Sequence, residues 1–336
     1  MYFSAARGDS IEKVGADADI VTMGINPSAD DLHAGHYVTL FNLMRVLRKN
    51  ESARGHVFVD DREVHLKQGA RQEEDFWVPD GDRIEKIRGK ITAFIRQTSH
   101  ALGEASLIGR VGVQRMSHYL PNRDSPSEPT QGGMLYRLLY ENRDLIRQAF
   151  DFRRFDGTEE FVRPFCNGCG MVPADPRQTN MIPQGLGGTC KTPKCHERMY
   201  MVNPHEGERN WTMHYGVDPL RDILIADQND AKVLHVFGGD YGTSWGYGGI
   251  PKAERLSELI TQIAPNVKVD HYIGPLLLRN GMKLSKRRGD ASYPPLLDTL
   301  KRMTYRPLGT IDVDAIAISG NRASPQPTAA RTESVA

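Results

Sequence analysis

The strongest constraint on the fold is a strand-turn-helix pattern near the start of the chain. Residues 19–25 form a short run rich in β-branched and apolar side chains, and the run ends at Asn-Pro-Ser, residues 26–28. This composition suits a buried strand that leads into a turn. From His36 onward apolar residues recur at spacings of three and four, and cations stand at the far end. A helix should therefore follow the turn.

Further strands and helices are expected to alternate along the chain. The predicted strands are short apolar runs, at residues 55–59, 233–237 and 267–273. The predicted helices carry apolar residues at helical spacing, at residues 84–102, 133–150 and 251–263. Strands that alternate with helices form parallel sheets, so the sequence predicts an α/β fold with a Rossmann-like parallel sheet.

A segment rich in Gly, Pro, Asn and Cys interrupts this alternation between about residues 160 and 210, which indicates an insertion. From about residue 319 the chain is rich in Ser, Pro, Ala and Thr and is expected to be disordered. Four segments are predicted: the first half of the Rossmann-like domain, the insertion, the second half of that domain and a C-terminal extension, at residues 1–159, 160–210, 211–300 and 301–336.

The net charge of the chain neither indicates nor excludes nucleic-acid binding. Its 43 Lys and Arg residues against 42 Asp and Glu residues leave a net charge of +1. This balance supplies no overall attraction to nucleic acid, although a local basic patch could still do so. No stretch approaches the roughly 18 apolar residues that a membrane-crossing helix needs, and the N-terminus lacks the pattern of a secretion signal. We expect a cytoplasmic protein that does not bind membranes.

His33-Ala34-Gly35-His36 stands where the first strand ends and the first long helix begins. A helix N-terminus directs free N–H groups and a partial positive charge at an anion, and two imidazoles can bind phosphate oxygens. A glycine lets a nucleotide approach the backbone. The motif therefore predicts a phosphate site, although two histidines at this position also occur as ordinary caps or surface residues.

The segment Lys283-Leu284-Ser285-Lys286-Arg287-Arg288 places four cations within six residues, between two glycines. Such a loop could close over a triphosphate and neutralise the charge that develops at the α-phosphate. Taken alone, the segment describes a solvated basic loop equally well. Its occurrence in the same chain as the histidine motif is what favours a nucleotide site.

All four cysteines lie in the insertion, at Cys166, Cys169, Cys190 and Cys195. This clustering favours a structural zinc site, because four thiolates around one ion supply the order that burial cannot supply in a Gly- and Pro-rich segment. The second pair is spaced more widely than the usual two intervening residues, and His196 is an alternative ligand. The alternative interpretation is that the four cysteines are free thiols with a structural role and bind no metal.

The motifs HAGH and KLSKR resemble the HIGH and KMSKS signatures of class I aminoacyl-tRNA synthetases. Other segments fall in the order seen in class I lysyl-tRNA synthetases, over about residues 18–290: Asp60-Asp61, Glu141-Asn142-Arg143-Asp144, residues 164–170 and Phe237-Gly238-Gly239-Asp240. The resemblance implies the Rossmann-like core of HUP-type nucleotidyltransferases with a small four-cysteine zinc knuckle inserted into it.

The resemblance also implies roles for individual residues. The ATP-binding residues would be His33, Gly35, His36, Gly238, Asp240, Lys283, Ser285 and Lys286. Among these, the catalytic residues would be His33, His36, Lys283 and Lys286. The amino acid would be bound by Asp60, Asp61, Trp211 and Tyr241. Zn²⁺ would be held by Cys166, Cys169, Cys190 and Cys195, and Mg²⁺ would neutralise the triphosphate.

Some segments depart from the lysyl pattern. Of a tryptophan-rich stretch in those enzymes only Trp211 is clearly kept, and residues 24–33 resemble the tyrosyl and tryptophanyl enzymes at least as closely. An aromatic or unusual amino acid is therefore an open alternative to lysine. The short chain after Asp290 leaves no room for an anticodon-binding domain, so we expect a free-standing catalytic core.

The expected activity is ATP-dependent formation of an aminoacyl-adenylate with release of pyrophosphate, followed by transfer of the acyl group. The acceptor would be a small molecule, a carrier-protein thiol or the acceptor end of a tRNA, in specialised biosynthesis. Two alternatives stay open. One is a nucleotidyltransferase that acts on another carboxylate or on a phosphate ester, and the other is a catalytically silent relative that senses an amino acid or tRNA.

Overall fold

The computed structural model describes residues 9–27, 30–66, 70–73, 76–118, 131–150, 161–172, 180–190, 192, 195, 197, 200–203, 210–214, 216–242, 252–279, 282–283 and 310–312. Within these residues a parallel sheet of five strands is flanked by helices on both faces. Smaller sheets of two or three strands lie around it.

The elements before the insertion are α1 (Ile11–Val14), β1 (Ile20–Ile25), α2 (Ala34–Lys49), β2 (Arg54–Val59), β3 (Arg71–Glu73), β4 (Phe76–Val78), α3 (Gly81–Ala101), α4 (Ser106–Arg110), β5 (Val111–Arg115), α5 (Gln131–Glu141) and α6 (Arg143–Phe150). The insertion contributes β6 (Val162–Pro164), β7 (Asn180–Ile182), β8 (Gly185–Gly188) and β9 (Tyr200–Val202).

The elements that follow are β10 (Trp211–Met213), α7 (Arg221–Asn229), β11 (Lys232–Phe237), α8 (Lys252–Ile263), β12 (Lys268–Ile273), β13 (Leu276–Arg279), β14 (Met282–Lys283) and β15 (Thr310–Asp312). Short 3₁₀ turns occur at Asp61–His65, Met116–His118, Asp218–Leu220 and Gly239–Gly242.

β1 occupies the centre of the main sheet, whose strand order is β12-β11-β1-β2-β5 with every neighbouring pair parallel. The chain leaves β1 to build one side of the sheet and later returns to build the other side. The strand order therefore reverses between β1 and β11. In open parallel sheets a crevice forms outside the carboxyl ends of the strands at such a reversal, and ligands bind there.

Segments on both sides of the insertion contribute to this one sheet. Ile20 pairs with Val233, and Thr22 pairs with His235 although 213 positions separate these two residues. The parallel sheet confirms the predicted α/β, Rossmann-like fold. The boundaries that the sequence predicts for the four segments stay predictions.

Helix α2 is fixed over the centre of the sheet. Nearly every residue from Tyr37 to Leu47 is buried, and the helix packs against β1, β2 and β11. Each large apolar side chain removed from water contributes roughly 1.5–3 kcal/mol. Burial of this extent holds the N-terminus of α2 at the carboxyl end of β1.

A second core lies beside α7 and α8 and extends into the insertion. It contains residues from α5, α6, β6, β8 and β10, and Cys166 belongs to it. The insertion is therefore packed against the main domain through ordinary apolar contacts as well as through its cysteines. A membrane crossing would need a longer and more apolar helix than any in the described part of the chain.

Candidate functional site

The histidine motif forms the first turn of α2. His33 is the N-cap, and its Nδ1 accepts a hydrogen bond from the main-chain N–H of Gly35 at 3.0 Å. In return, the main-chain N–H of His33 donates to Nδ1 of His36 at 3.3 Å. The two rings stack with their centroids 3.9 Å apart. The histidines therefore form a capping box in which imidazoles replace the usual hydroxyl and carboxylate.

These hydrogen bonds fix the tautomer of both rings in their neutral form. An Nδ1 atom that accepts from a backbone N–H carries no hydrogen, so the hydrogen of each neutral imidazole is on Nε2. Each ring then presents an N–H donor at the start of a helix, where the helix dipole favours an anion. Two stacked donors of this kind suit the oxygens of a phosphate group.

Gly35 leaves the space that the ring of His33 occupies. A Cβ at this position would lie 2.8 Å from Cε1 and 3.0 Å from Nδ1 of His33. The motif therefore needs glycine for the cap itself, in addition to the sequence-based reason that glycine lets a nucleotide approach the backbone.

We expect Gly35→Ala to displace the His33 ring and to weaken ATP binding about tenfold, because a misplaced binding group loses much of its contact with the ligand. Calorimetric titration with ATP measures the change in Kd. Gly89→Ala is the matched control, since Gly89 is also helical and a Cβ there meets nothing within 4 Å. An unchanged Kd for Gly35→Ala would contradict the assigned role of the cap.

The first turn of α2 with His33 and His36, named the histidine turn, borders a cleft with a volume of about 230 Å³. The cleft is lined from β1 by Gly24, from β11 by Phe237, from the loop after β11 by Gly238 and from the loop after β12 by Gly274. It is the crevice expected where the strand order reverses. Its position at the carboxyl ends of the strands is where such folds bind nucleotides and other small ligands.

The other residues predicted to bind ATP fall into three groups. Gly238 lines the cleft, and the main chain of Asp240 follows it in the turn Gly239–Gly242. The main chain of Lys283 pairs with Leu278, the neighbour of the cleft residue Leu277, so the lysine motif starts one strand away from the cleft. Ser285 and Lys286 lie outside the described residues.

Asp60 and Asp61 follow β2, and neither is among the described residues that line the cleft. Asp60 is buried and accepts from Nε of Arg62 at 2.7 Å. The same guanidinium donates to Oδ1 of Asp218 at 2.6 Å, and Asp218 does line the cleft. Asp61 accepts from the main-chain N–H of Ser117 at 2.9 Å. Their predicted role in binding an amino acid stays a prediction, and Arg62 connects Asp60 to the cleft residue Asp218.

One guanidinium thus binds the buried carboxylate of Asp60 and the half-buried carboxylate of Asp218, and the pKa values of these two groups shift in opposite directions. Burial alone would raise the pKa of Asp60, but the charge and hydrogen bonds of Arg62 outweigh it and hold that pKa below its usual range. Burial raises the pKa of Asp218 to about 6, against the attraction of Arg62. The cleft therefore contains a carboxyl group whose pKa lies well above that of an ordinary aspartate.

The two predicted aromatic contacts lie in different places. Tyr241 lines the cleft and stacks on Phe237 with ring centroids 4.2 Å apart. Trp211 is fully buried in the second core, and its ring is nearly perpendicular to that of Tyr136, with centroids 6.0 Å apart. From this position Trp211 packs against core side chains of the described chain, and its predicted contact with the amino acid is untested.

The sequence did not predict four charged or titratable residues of the cleft: Asp218, Arg221, Asp222 and His235. Asp218 begins the 3₁₀ turn before α7, Arg221 and Asp222 begin α7, and His235 lies in β11. Polar residues inside otherwise apolar, buried segments were the available signal, because buried charge is rare unless it is paired or functional.

The four cysteines form a compact cluster. Their Sγ atoms all lie within 4.8 Å of one another, and the pairs Cys166–Cys195 and Cys169–Cys190 are 3.7 Å apart. Four sulfurs that surround a tetrahedral zinc at about 2.3 Å would be separated by about 3.8 Å. The cluster therefore fits one zinc ion with four thiolate ligands. His196, the alternative ligand, lies outside the described residues.

Two glycines allow the loop of residues 166–170, named the cysteine loop, to close. A Cβ on Gly168 would lie 3.1 Å from Sγ of Cys195. Gly170 has a φ of +71°, which residues other than glycine rarely adopt. Burial raises the pKa of the Cys166 thiol to about 12. A bound cation is therefore what would convert this thiol to a thiolate at neutral pH.

His65 joins the cysteine loop to the main domain. Its Nδ1 lies 2.6 Å from the carbonyl oxygen of Gly170, and its ring stacks on Phe165 with centroids 3.9 Å apart. A carbonyl only accepts, so Nδ1 is the donor. His65 ends the 3₁₀ turn that contains Arg62 and that Asp60 caps. The cysteine loop and the network of Asp60, Arg62 and Asp218 thus share one short segment.

Solved structures similar to this chain include three aminoacyl-tRNA synthetases. Tyrosyl-tRNA synthetase from Archaeoglobus fulgidus, complexed with L-tyrosine, is 15% identical with a TM-score of 0.39 over 81% of this chain and 59% of that one. A putative arginyl-tRNA synthetase from Campylobacter jejuni is 11% identical with a TM-score of 0.34, over 91% and 71%. Tryptophanyl-tRNA synthetase from Plasmodium falciparum is 11% identical with a TM-score of 0.33, over 78% and 51%.

The chain spans 59% of the length of the tyrosyl enzyme. No protein-family model matches the sequence. No curated protein matches it either. None of the three named structures is a lysyl enzyme, so the lysyl specificity that the sequence pattern implies gains no support from them.

Proposed function

We propose that the protein uses ATP to activate an amino acid as its aminoacyl-adenylate. The observation that carries this proposal is the stacked pair of imidazoles at the N-terminus of α2, whose geometry puts the hydrogen of each neutral ring on Nε2. These donors border the crevice at the reversal of strand order. Donors fixed before the ligand arrives stabilise phosphate charge without further reorganisation.

The adenylation step needs charge neutralisation more than proton transfer. An oxygen of the amino-acid carboxylate forms a bond to the α-phosphorus, and the bond from that phosphorus to the bridging oxygen breaks. Pyrophosphate leaves with the electron pair, and no proton has to move. The catalytic task is therefore to neutralise charge on phosphate oxygens as it redistributes.

Two groups of residues are proposed for this task. His33 and His36 contact the phosphates from the start of α2, and Lys283 and Lys286 draw out the pyrophosphate from the other side. Mg²⁺ would neutralise the remaining charge of the triphosphate. Gly238 and Asp240 are proposed to bind the ribose. The pairing of the Lys283 main chain next to a cleft strand supports the placement of the lysine motif.

The cysteine cluster is proposed to hold a structural zinc ion. Four protein ligands leave no open position for substrate, which a catalytic zinc would require. The acyl acceptor is proposed to be a small molecule, a carrier-protein thiol or the acceptor end of a tRNA. Asp60, Asp61, Trp211 and Tyr241 stay the proposed amino-acid contacts, with Tyr241 the one that lines the cleft.

Exchange of radiolabelled pyrophosphate into ATP, measured with each amino acid in turn and with Mg²⁺, tests the proposal. We expect exchange that depends on one amino acid or a small group of similar ones. Calorimetric titration with ATP should accompany the assay, so that a folded and nucleotide-competent protein is assured. A protein that binds ATP and shows no exchange with any amino acid would contradict the proposal.

A nucleotidyltransferase that acts on another carboxylate or on a phosphate ester is the second candidate. The histidine pair favours it as much as the first, because both imidazoles address phosphate oxygens and neither identifies the attacking group. Repeating the exchange assay with organic acids separates the two candidates. Formation of AMP with any substrate would exclude a catalytically silent sensor.

A further inference from the structure

The cleft reaches both faces of the main sheet. The histidine turn bounds it on the face of α2, and α7 bounds it on the other face. Gly24 lines the cleft, and a Cβ at this position would have Cε of Met116 as its one neighbour within 4 Å among the described residues, at 3.7 Å. The part on the α7 face, named the inner lobe, is lined by Phe58, Met116, Asp218, Arg221, Asp222 and His235.

His235 and Asp222 form a buried pair in the inner lobe. Nδ1 of His235 lies 2.6 Å from Oδ2 of Asp222 and 3.0 Å from Oγ1 of Thr22. The side chain of Asp222 is 3% exposed and that of His235 is 10% exposed. The ring is therefore held from a helix and from the neighbouring strand, and its orientation is fixed before any ligand binds.

This arrangement makes the second ring nitrogen an acceptor. A carboxylate only accepts, so Nδ1 of His235 carries the hydrogen and Nε2 of the neutral ring is bare. No described residue hydrogen-bonds Nε2, and the atom is not fully buried, so it is open to the lobe. Nε2 of His235 is therefore an acceptor, whereas Nε2 of His33 and of His36 is a donor.

The other residues of the inner lobe also favour a ligand that donates hydrogen bonds. The lining residues include two carboxyl groups, Asp218 and Asp222, of which Asp218 is paired with Arg62 and Asp222 with His235, and one guanidinium, Arg221. Phe58 and Met116 supply apolar walls. A ligand group with an apolar body and a donor at its end would satisfy both the walls and the exposed acceptor.

We propose that His235 determines the substrate class: the side chain of the activated amino acid enters the inner lobe and donates an O–H or N–H hydrogen bond to Nε2. This inference rests on the proposed adenylation. The substrate is then an amino acid with an apolar stem that ends in a hydrogen-bond donor. Asp222 is a positioning residue, because it acts on the substrate only through the imidazole.

Pairs of amino acids that differ by one donor test the inference in the unmodified protein. Suitable pairs are tyrosine with phenylalanine, threonine with valine, serine with alanine, and lysine with norleucine. In the pair with the highest exchange rate, we expect the donor member to have a kcat/KM at least tenfold higher. A buried acceptor left unpaired by the other member accounts for this difference.

His235→Leu removes the acceptor and approximately keeps the volume. We expect it to reduce the preference at least tenfold, mainly by slowing the donor member of the pair. His235→Gln, whose amide oxygen can reach the position of Nε2, should restore part of the preference. His100→Leu is the control and should keep it, because His100 is exposed at the C-terminal end of α3 and is not among the described cleft residues.

The outcomes separate this inference from the function on which it rests. Exchange that is equally fast with both members of every pair overturns the inference and leaves adenylation intact, and it does so even where the variants fail to fold. An equal loss with all amino acids in His235→Leu also overturns it, because His235 would then contact a group common to all of them. Absence of exchange with any amino acid removes adenylation and the inference together.

Discussion

Replacing His36 with asparagine is expected to lower the rate of amino-acid-dependent pyrophosphate exchange by about two to three orders of magnitude. The oxygen of asparagine can stand where Nδ1 of His36 accepts from the main-chain N–H of His33, so the cap is kept. The Nε2–H donor is lost. The substitution therefore separates the structural role of the ring from its role toward phosphate.

The kinetic pattern distinguishes a transition-state contact from general damage. If His36 acts on the charge of the pentacoordinate phosphate, kcat should fall while the KM for the amino acid changes little. His36→Gln, whose amide nitrogen can reach the position of Nε2, should recover part of the rate. His100→Ala, at the exposed C-terminal end of α3, is the matched control and should keep the full rate. Unaltered exchange in His36→Asn would exclude the imidazole from catalysis.

The parts of the fold that the sequence predicts well are those with a local signal. β1 and β11 are buried almost throughout, and they therefore occur as continuous apolar runs. β5 lies at the edge of the sheet and all of its residues are half-buried, so its alternation of valine with glycine and glutamine gives no such run. The sequence did not predict it for that reason.

The predicted helix over residues 133–150 is divided into α5 and α6 at Asn142. The side chain of Asn142 donates to the carbonyl oxygen of Leu138 at 2.8 Å. Asparagine side chains compete in this way with the continuing backbone hydrogen bonds of a helix. Helical periodicity carries on across the break, which is why the pattern alone predicts a single helix.

Some residues of the candidate site form a contiguous sequence motif, and others come together only when the sheet forms. His33 and His36 are visible as a motif because four consecutive residues and one helix start contain the whole arrangement. The pair of Asp222 and His235 becomes visible only when β11 pairs with β1, which sets Thr22 beside a residue 213 positions away. A sequence motif cannot record such a contact, so the donors of the cleft could be predicted and the acceptor could not.

Removing metal from the cysteine cluster is expected to release the insertion from the main domain. Zinc binding to structural sites contributes about 10–16 kcal/mol in small zinc domains, which is comparable to the whole stability of an average domain. We expect one zinc per chain by elemental analysis, and none in Cys169→Ser. Asn167→Ala should keep the metal, because Asn167 is exposed between two ligands without being one.

Loss of the metal should act on the two parts of the cleft unequally. The cysteine loop contacts His65, which ends the 3₁₀ turn that contains Arg62, and Arg62 bonds Asp218 in the inner lobe. The histidine turn is fixed instead by the packing of α2 on the sheet, in a core that contains none of the four cysteines.

After chelation, hydrogen exchange over residues 161–172 should accelerate, and the KM for the amino acid should rise about tenfold. The Kd for ATP should change less than about twofold, since the histidine turn, which is proposed to contact its phosphates, lies in a core without the cysteines. Metal-free protein with unchanged hydrogen exchange in this segment would show that the cysteines fold without an ion, and an equal loss of ATP binding would show that His65 is not the route.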